Sequence, residues 1–587
     1  MKKILSIILT MAVILAAIPF STVSAFEEEA EYTEGYYTYV VANGDATITA
    51  VDTSISGDIT IPSEFGGYPL TCINYMAFMD CNSLTSVIIP DNVVKIGWSA
   101  FSNCTSLTSI TLGKSVANIE GGAFSGCTSL TSITVNSNIN YYSEDGILFN
   151  KAKTELICYP AGKTDSSYTV PDSIESIGES AFEFCESLTD ITIPDSVTSI
   201  GNDAFYRCES LTEVNISDIA AWCNIDFDGY YANPISSAEK LYLNDTLVTD
   251  LVIPNNVTEI KDYAFNYLDS LSSVIIGENV KSIGNCAFVS CSSLESITIP
   301  DSLTSIGYNA FSGCSSLTAF LIPNSVTSIG TYAFESCTSL TTIIMSENII
   351  NIGPNAFLNT PWYDNQPDGI IYINKIAYEY KGEYPEVIVI KDGTLVINDD
   401  LFSNFDELVT VTIPDSVIRI GEGAFRWCDS LTEVNISDIS AWCNIDFDGY
   451  YANPIIYAGK LYLNDTLVTD LVIPNNVTEI KDLAYYCLDS LTSVIIPESV
   501  TKIGKSAFSE CGSLISVNIP DSVTSIGAYS FLNCNSLTTV SIEGNTTISC
   551  GAFDKCTSLE NVYFMASKRV GERINIQEYN EFLTDAT

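Results

Sequence analysis

The sequence predicts a repeat solenoid, a right-handed superhelix of mostly short parallel β-strands with a single helical or 3₁₀ turn in each coil. Three observations predict this fold. An Ala-Phe pair or its equivalent occurs 16 times, and ten of the fifteen intervals between the aromatic residues are 23 residues long. Each interval contains a stretch of alternating apolar and polar residues, which is typical of a half-buried strand. A fixed period of about 20–29 residues is itself typical of a solenoid.

One unit shows how each coil is built. The stretch LESITIP (residues 294–300) alternates apolar and polar residues and ends at Pro300, because proline has no N–H to donate to a sheet. Gly307 then permits a sharp turn, and the stretch NAFSGC (309–314) has the apolar spacing of one helical turn. One coil alone buries too little apolar surface to offset the entropy lost on ordering it. We therefore expect each coil to be stable only when it is stacked between neighbours.

The repeat pattern LxxIxIPxxLxxIGxxAFxxC resembles the BspA-type (Treponema-type) leucine-rich repeat of bacterial surface proteins. The resemblance covers most of residues 58–564. It implies a curved leucine-rich-repeat solenoid that is exported to the cell surface or the medium. Some members of that family are adhesins for host extracellular-matrix proteins or for other bacteria, so the resemblance implies a protein-binding role.

The first 25 residues are typical of a bacterial secretory signal peptide (1–25). Two lysines precede an apolar run from Ile4 to Ile18, and the stretch 23–25 supplies small residues for cleavage. An uncleaved N-terminal anchor is the alternative interpretation. No later stretch has 18 unbroken apolar residues, so we expect no membrane insertion after cleavage. The predicted location is secreted or at the cell surface.

Interruptions of the repeat divide the rest of the chain. Residues 26–57 are predicted to form an N-terminal cap hairpin, because an Asn-Gly turn separates two alternating stretches. The predicted leucine-rich repeats occupy residues 58–135, 171–214, 251–359, 394–434 and 471–564. The predicted insertions are a β-hairpin at 136–170, a segment at 215–250, a Tyr/Trp-rich segment at 360–393 and a segment at 435–470 that duplicates the second of these. A polar C-terminal tail covers 565–587.

Composition excludes several classes of function. The chain has 72 acidic and 24 basic residues, a formal net charge of −48, which repels the phosphates of nucleic acids and of anionic lipids. It has no histidine, which excludes Ser-His-Asp and Cys-His catalysis and any imidazole metal site. We therefore predict no catalytic residues, no cofactor, no metal site and no nucleic-acid partner.

One carboxylate pair is a candidate for chemistry. Asp226 and Asp228 recur as Asp446 and Asp448, and alternate residues of a strand place both carboxylates on one face. Asp-Gly is also a turn signal, and the further oxygen ligands of a calcium loop are missing. A structural strand and turn is the favoured interpretation, with weak calcium binding and a carboxylate-based hydrolase as alternatives.

Nineteen cysteines in an exported chain ordinarily suggest disulfides. Twelve of them occupy one position of the repeat, at which Leu268, Leu488 and Phe405 stand in other units. A position that accepts Leu and Phe is apolar and buried. Stacked Cβ atoms are about 4.8 Å apart, which exceeds the roughly 3.8 Å of a disulfide. We therefore expect buried free thiols and few disulfides.

The outward positions of the first strand of each coil form the predicted binding face. They carry small hydroxyl groups, scattered aliphatic side chains and little charge, which is typical of a protein-binding surface. An inert surface of a regular strand is the competing interpretation of the same residues, and the residue types alone favour it. The candidate residues are Ser86, Ile88, Ser109, Thr111, Ser273, Ile275, Ser296, Thr298, Leu321, Ile344, Ser493 and Ile495.

The predicted partner is an extracellular protein or a cell-surface ligand, bound through the concave sheet and the insertions. Adhesion to host or neighbouring-cell surfaces is the expectation that the resemblance supplies. A carbohydrate- or cell-wall-binding scaffold is the alternative, because the insertions are rich in aromatic residues. Its candidate residues are Trp222, Tyr230, Tyr231, Trp362 and Tyr363.

Overall fold

The computed structural model of the chain describes residues 30–564 and 575–585, so the predicted signal peptide (1–25) lies outside the described residues. The described chain is a β-solenoid of parallel strands. Contacts divide it into two compact units. Unit 1 comprises Met1–Thr212 and Asp228–Ala238, and unit 2 comprises Glu213–Phe227 and Glu239–Thr587.

Each regular coil contains two strands, here called the first strand and the second strand. The first strand Ser296–Thr298 pairs in parallel with Ser273–Ile275, and the second strand Ser305–Ile306 pairs with Ser282–Ile283. Each pairing joins residues 23 positions apart, which is the predicted repeat length. The two kinds of strand therefore build two sets of parallel ladders, which are divided along the chain into shorter sheets.

In unit 1 the cap and the coils follow in order. The cap strands are Tyr32–Glu34, Tyr37–Ala42 and Asp45–Val51. The first strands are Ser56–Thr60, Ser83–Ile88, Ser109–Leu112, Ser132–Val135, Ser167–Thr169 and Asp190–Thr192. The second strands are Tyr68–Ile73, Lys95–Ile96, Asn118–Ile119, Glu155–Cys158, Ser176–Ile177 and Ser199–Ile200. The hairpin strands are Glu64–Phe65, Tyr141–Glu144 and Ile147–Asn150, and the helices are Tyr230–Ala232 and Ile235–Ala238.

Unit 2 is longer and has the same organisation. Its first strands are Glu213–Ile216, Leu241–Leu243, Asp250–Val252, Ser273–Ile275, Ser296–Thr298, Ala319–Leu321, Thr342–Ile344, Val387–Val389, Thr410–Thr412, Glu433–Ile436, Leu461–Leu463, Asp470–Val472, Ser493–Ile495, Ser516–Ile519, Thr539–Ile542 and Asn561–Phe564. Its second strands are Asp226–Phe227, Glu259–Ile260, Ser282–Ile283, Ser305–Ile306, Ser328–Ile329, Asn351–Ile352, Ile376–Lys381, Val396–Ile397, Arg419–Ile420, Asp446–Phe447, Glu479–Ile480, Lys502–Ile503, Ser525–Ile526, Thr547–Ile548 and Asn575–Ile576. Hairpins add Thr246–Leu247, Gly369–Ile373 and Thr466–Leu467, and the helices are Ile219–Cys223, Pro361–Asp364, Ile439–Cys443, Tyr450–Ala452, Ile455–Ala458 and Glu581–Asp585. None of the helices in the described ranges is long and apolar enough to cross a membrane.

Aromatic side chains form a stacked column inside the coils. The Phe311 ring lies 5.4 Å from the rings of Phe288 and Phe334, nearly parallel to both. The Phe311 N–H donates to the Ala333 carbonyl of the next coil at 2.8 Å, so the turn is tied to its neighbour as well. A Cβ on Gly330 would lie 2.5 Å from the backbone of the preceding coil, which explains the glycine of the repeat.

The repeated cysteines lie in the interior beside this column. The Cys314 Sγ donates a hydrogen bond to the Phe288 carbonyl at 3.2 Å, and the Cys337 Sγ donates to the Phe311 carbonyl at 3.1 Å. All 19 cysteines are free in the structure and 15 are buried. The prediction of a buried position is confirmed, and a low disulfide content stays a prediction.

The segment 136–170 is more than the predicted hairpin. The hairpin Tyr141–Glu144 and Ile147–Asn150 is present. The strand Glu155–Cys158 then pairs in parallel with the next second strand, and Tyr159 stacks 5.2 Å from Phe182 in the aromatic column. The segment therefore holds a hairpin and one further coil. This coil was not predicted because Tyr159, which no alanine precedes, takes the position of the repeated phenylalanine.

The predicted insertions at 215–250 and 435–470 are expanded coils. In the second of them, Asp446–Phe447 pairs with Arg419–Ile420 and Leu461–Leu463 pairs with Glu433–Ile436, as in a regular coil. The extra residues form the short helices between these strands. The Asp438 side chain accepts from the Ser440 N–H at 2.6 Å and so caps the first of these helices. The predicted division of 215–250 and 435–470 from the repeats is therefore wrong, because the strands of the solenoid continue through both segments.

The segment 360–393 and the tail 565–587 also contribute strands. Ile376–Lys381 pairs in parallel with Val396–Ile397, so the Tyr/Trp-rich segment is another expanded coil rather than a separate insertion. In the described part of the tail, Asn575–Ile576 pairs with Thr547–Ile548. The buried Asn580 accepts from the Phe553 N–H at 3.0 Å, so this part of the tail closes the last coil.

The buried thiols generate a prediction about alkaline stability. Burial raises the pKa of Cys208, Cys337 and Cys428 from 9.0 to about 12. Below pH 9 both states keep their thiol protons, and above it only the unfolded chain loses them. We therefore expect the free energy of unfolding of reduced protein, measured with urea, to fall as the pH rises from about 9 towards 12.

The control is the triple variant Cys208→Ala, Cys337→Ala, Cys428→Ala. It should show a shallower fall over the same pH range, because three of the responsible groups are gone. An unchanged slope would show that these thiols are not protected from ionisation by the fold.

Candidate binding surface

The first strands of unit 2 present a row of exposed aliphatic side chains. In register, Val252 lies beside Ile275, Ile275 beside Thr298, and Leu321 beside Ile344. The four aliphatic side chains are each more than half exposed. We call Val252, Ile275, Leu321 and Ile344 the aliphatic row.

The same position is aliphatic and exposed elsewhere. Val389, Val472 and Ile495 are more than half exposed, and Ile88 of unit 1 is nearly half exposed. The predicted exposure of Ile88, Ile275, Leu321, Ile344 and Ile495 is therefore confirmed. Sequence reasoning missed Val252, Val389 and Val472, since Val389 lies within a stretch assigned to an insertion and the other two follow such a stretch. The stretch DLVIP, which occurs before Pro254 and Pro474, is the signal that would have found two of them.

The remaining outward candidates on the first strands carry hydroxyl groups, as predicted. Ser296 and Thr298 are exposed, and Ser86, Ser109, Thr111, Ser273 and Ser493 are partly buried. The Ser273 hydroxyl donates to Asp250 at 2.5 Å, and the Ser493 hydroxyl donates to Asp470 at the same distance. These hydrogen bonds lower the pKa of both exposed carboxyl groups. Asp250 and Asp470 thus stand on the edge strands Asp250–Val252 and Asp470–Val472, so their charge lies at the edge of each sheet.

The outward positions of the four first strands between residues 273 and 344 carry no charged side chain. The residues at these positions are serine, threonine, alanine or aliphatic. This is unusual in a chain with 72 acidic residues. A rigid, uncharged surface with protruding aliphatic groups and available hydroxyls can dock another protein without desolvating charges.

The predicted aromatic platform at Trp222 is wrong. Trp222 is 1 % exposed, and its Nε1–H donates to the Ala264 carbonyl at 2.7 Å. Trp442 makes the same bond to Ala484 in the duplicated coil. The indole fills the interior of the expanded coil. Its one polar atom donates to a backbone carbonyl and is therefore not available to a ligand.

The other aromatic candidates are only partly accessible. Trp362 is partly buried against Phe357 at 5.0 Å, and burial raises the pKa of Tyr363 to about 12. Tyr230 is partly buried and Tyr231 is exposed.

An aromatic cluster that sequence reasoning missed lies in unit 2. Trp427 is more than half exposed, and Tyr450 and Tyr451 are nearly so. The Arg426 guanidinium lies 5.5 Å from the Trp427 ring and 6.0 Å from the Tyr451 ring. The sequence feature that could have revealed the cluster is the tryptophan of FRWC (425–428). It occupies a turn position at which a regular coil has Asn103.

The candidate carboxylates are paired with cations. Asp226 lies 2.9 Å from Lys261, Asp446 lies 2.8 Å from Lys481, and Asp448 lies 2.5 Å from Arg419. These ion pairs link neighbouring coils, which favours a structural role for the aspartates. Within residues 30–564 and 575–585, no group of three or more Cys, Asp or Glu side chains is placed to hold a metal ion.

Two cavities lie where a hairpin interrupts the sheet of second strands. The cavity in unit 1, about 350 Å³, is lined by Glu120, Glu155 and Glu179 among others. Glu120 is paired with Lys95 at 2.6 Å, Glu179 accepts from the Trp98 Nε1–H, and burial raises the pKa of Glu155. These three carboxyl groups therefore sit in different environments.

The cavity in unit 2 is a groove of about 1040 Å³. Ile350 and Ile418, both more than half exposed, lie on it together with Leu395 and Val396.

The repeat observed in the structure agrees with the comparisons to known proteins. The BspA type leucine-rich repeat region matches in six copies, over residues 57–164, 158–225, 237–362, 367–447 and 458–577. A search of curated proteins gives no match.

Several similar solved structures are leucine-rich repeat proteins of bacteria. One from Eubacterium ventriosum is 23 % identical, covers 53 % of this chain and 96 % of its own, and has a TM-score of 0.35. One from Bacteroides ovatus is 20 % identical with coverages of 90 % and 94 % and a TM-score of 0.23. A cell-surface protein from Faecalibacterium prausnitzii is 22 % identical with coverages of 92 % and 96 % and a TM-score of 0.18. The family match spans most of the sequence, and the chain therefore belongs to the BspA-type leucine-rich repeat family.

Proposed function

We propose that the protein is a secreted or cell-surface binding module that docks another extracellular protein on the aliphatic row and has no catalytic role. Adhesion to host or neighbouring-cell surfaces is the process that this binding serves. The observation that carries the proposal is the aliphatic row itself. Four side chains, each more than half exposed, stand on first strands that pair in parallel with a neighbouring strand.

The physical basis is apolar burial without a large ordering penalty. Burying apolar surface contributes about 25 cal/mol per Å², and strand side chains are already held in place before binding. The neighbouring serine and threonine hydroxyls supply hydrogen bonds to the partner backbone. The net charge of −48 favours a basic partner during encounter, while the contact surface itself stays uncharged.

Carbohydrate binding is the second candidate, and the aromatic cluster of Trp427, Tyr450 and Tyr451 favours it. Exposed aromatic faces can stack on sugar rings, and this cluster lies apart from the aliphatic row in sequence and on a turn instead of a strand. The two functions are therefore separable by substitution.

The test is an array of extracellular proteins and glycans probed with the mature chain. The triple variant Ile275→Ser, Leu321→Ser, Ile344→Ser should bind its protein partner at least about tenfold more weakly, because the central apolar contacts are lost. The matched control Val94→Ser removes an exposed aliphatic group from unit 1 and should bind as the wild type does.

Equal protein binding by the triple variant and the wild type would contradict the proposal. Binding to glycans alone, lost in Trp427→Ala and kept in the triple variant, would replace it by the carbohydrate function.

A further inference from the structure

The duplicated segments differ at a few positions, some exposed and some buried. Residues 211–271 and 431–491 are identical at 53 of 61 positions, so they differ at eight. One of the eight replaces Ser237 by Tyr457, on the short helices Ile235–Ala238 and Ile455–Ala458. The two helices lie in segments that are otherwise largely identical, while the neighbouring Tyr206, Arg207 and Glu209 are replaced by Arg426, Trp427 and Asp429.

In unit 2, Tyr457 fills a position beside the turn. Its hydroxyl accepts a hydrogen bond from the Trp427 N–H at 2.7 Å. In regular coils the N–H at this position donates to a carbonyl of the next coil, as Ser290 does to Ser312 at 2.7 Å. Burial raises the pKa of the Tyr457 hydroxyl, the hydrogen bond from the Trp427 N–H lowers it, and Tyr451, Cys428 and Asp429 raise it, so these groups lie near the phenol.

In unit 1 the corresponding position is empty of protein atoms. A cavity of about 470 Å³ is lined by Tyr206, Arg207, Cys208, Glu209, Tyr231 and Ser237. These residues correspond, at an offset of 220, to Arg426, Trp427, Cys428, Asp429, Tyr451 and Tyr457. The cavity is therefore the place that the Tyr457 ring occupies in the other copy.

The cavity also has an unused hydrogen-bond donor. Arg207 is the equivalent of Trp427, and among the described residues none accepts from its backbone N–H. Ser237 is too short to reach it as Tyr457 reaches Trp427. A backbone N–H without a partner is unfavourable unless water or a ligand supplies an acceptor.

We infer that this cavity of unit 1 binds a phenol ring, the side chain of a tyrosine presented by a partner protein. The tyrosine hydroxyl accepts from the Arg207 N–H, as Tyr457 accepts from Trp427. The rings of Tyr206 and Tyr231, 4.9 Å apart and steeply inclined, contact the incoming ring, and the Arg207 guanidinium lies over Tyr206 at 5.5 Å. Only the source of the tyrosine rests on the proposed protein-binding function, since the ring site can be tested with small phenols.

The test measures stoichiometry and affinity for N-acetyltyrosinamide and p-cresol by NMR titration of the full mature chain. The wild type should bind one ring in unit 1. Ser237→Tyr should weaken binding at least about tenfold, because the introduced ring fills the cavity and takes the N–H. Tyr457→Ser should open the equivalent cavity and add a second site. Circular dichroism melting of all three proteins checks that they are folded.

Three controls test the role of the phenol hydroxyl, the source of the ring and the independence of the two proposals. N-acetylphenylalaninamide, which lacks the hydroxyl, should bind several-fold more weakly than N-acetyltyrosinamide. Tighter binding of N-acetyltyrosinamide than of p-cresol supports a peptide source, and the reverse order assigns the site to a free phenol and overturns that source. The triple variant of the aliphatic row should keep the phenol site, so the failure of one proposal is distinguishable from failure of the other.

The inference is overturned if Ser237→Tyr and the wild type bind N-acetyltyrosinamide equally. It is also overturned if the phenylalanine and tyrosine amides bind with the same affinity, because the hydrogen bond to Arg207 would then contribute nothing.

Discussion

Each coil has backbone N–H groups and aromatic rings whose partners are in the next coil, and the rest of the structure depends on this constraint. The Phe311 N–H needs the Ala333 carbonyl, and the Phe311 ring needs a ring on either side. Where the next coil is irregular, a tyrosine hydroxyl supplies the missing acceptor: Tyr141 for the Ile119 N–H, Tyr378 for Phe357 and Tyr457 for Trp427. Tyrosine side chains therefore replace the absent backbone acceptor at these three irregular coils, and Ser237 leaves the equivalent position of unit 1 unfilled.

The same constraint separates the interior from the surface. Inward positions are fixed by the column of aromatic rings and the thiols beside it, so they repeat with little change. Outward positions of the first strands add only surface contacts, such as the hydrogen bond from Ser273 to Asp250, and vary more than the interior, which allows an aliphatic row to stand on an acidic protein. Turn positions vary in the same way, and the difference between Arg207 and Trp427 shows how a duplicated coil acquires a different surface.

The regular part of the fold could be predicted from the sequence, because the period, the alternation and the closing proline and glycine act locally. The expanded coils could not, since the extra residues between their strands interrupt the 23-residue period that marks the regular coils. Tyr159 was missed because its role in the column depends on Phe182. On the surface, Ile275 and Leu321 were predicted from alternation alone, whereas the burial of Trp222 depends on the carbonyl of Ala264, 42 residues away.

The most direct test of the stacking account is hydrogen–deuterium exchange of Gly330→Ala in the full chain. The new Cβ would lie 2.5 Å from the backbone of Gly307 and Tyr308, so it forces the two coils apart. The account predicts faster amide exchange in the coil containing residue 330 and in the coils on either side, with exchange near Phe508 unchanged. Exchange that stays at the wild-type rate in those coils, or that rises equally throughout unit 2, would contradict the claim that each coil is held by its immediate neighbours.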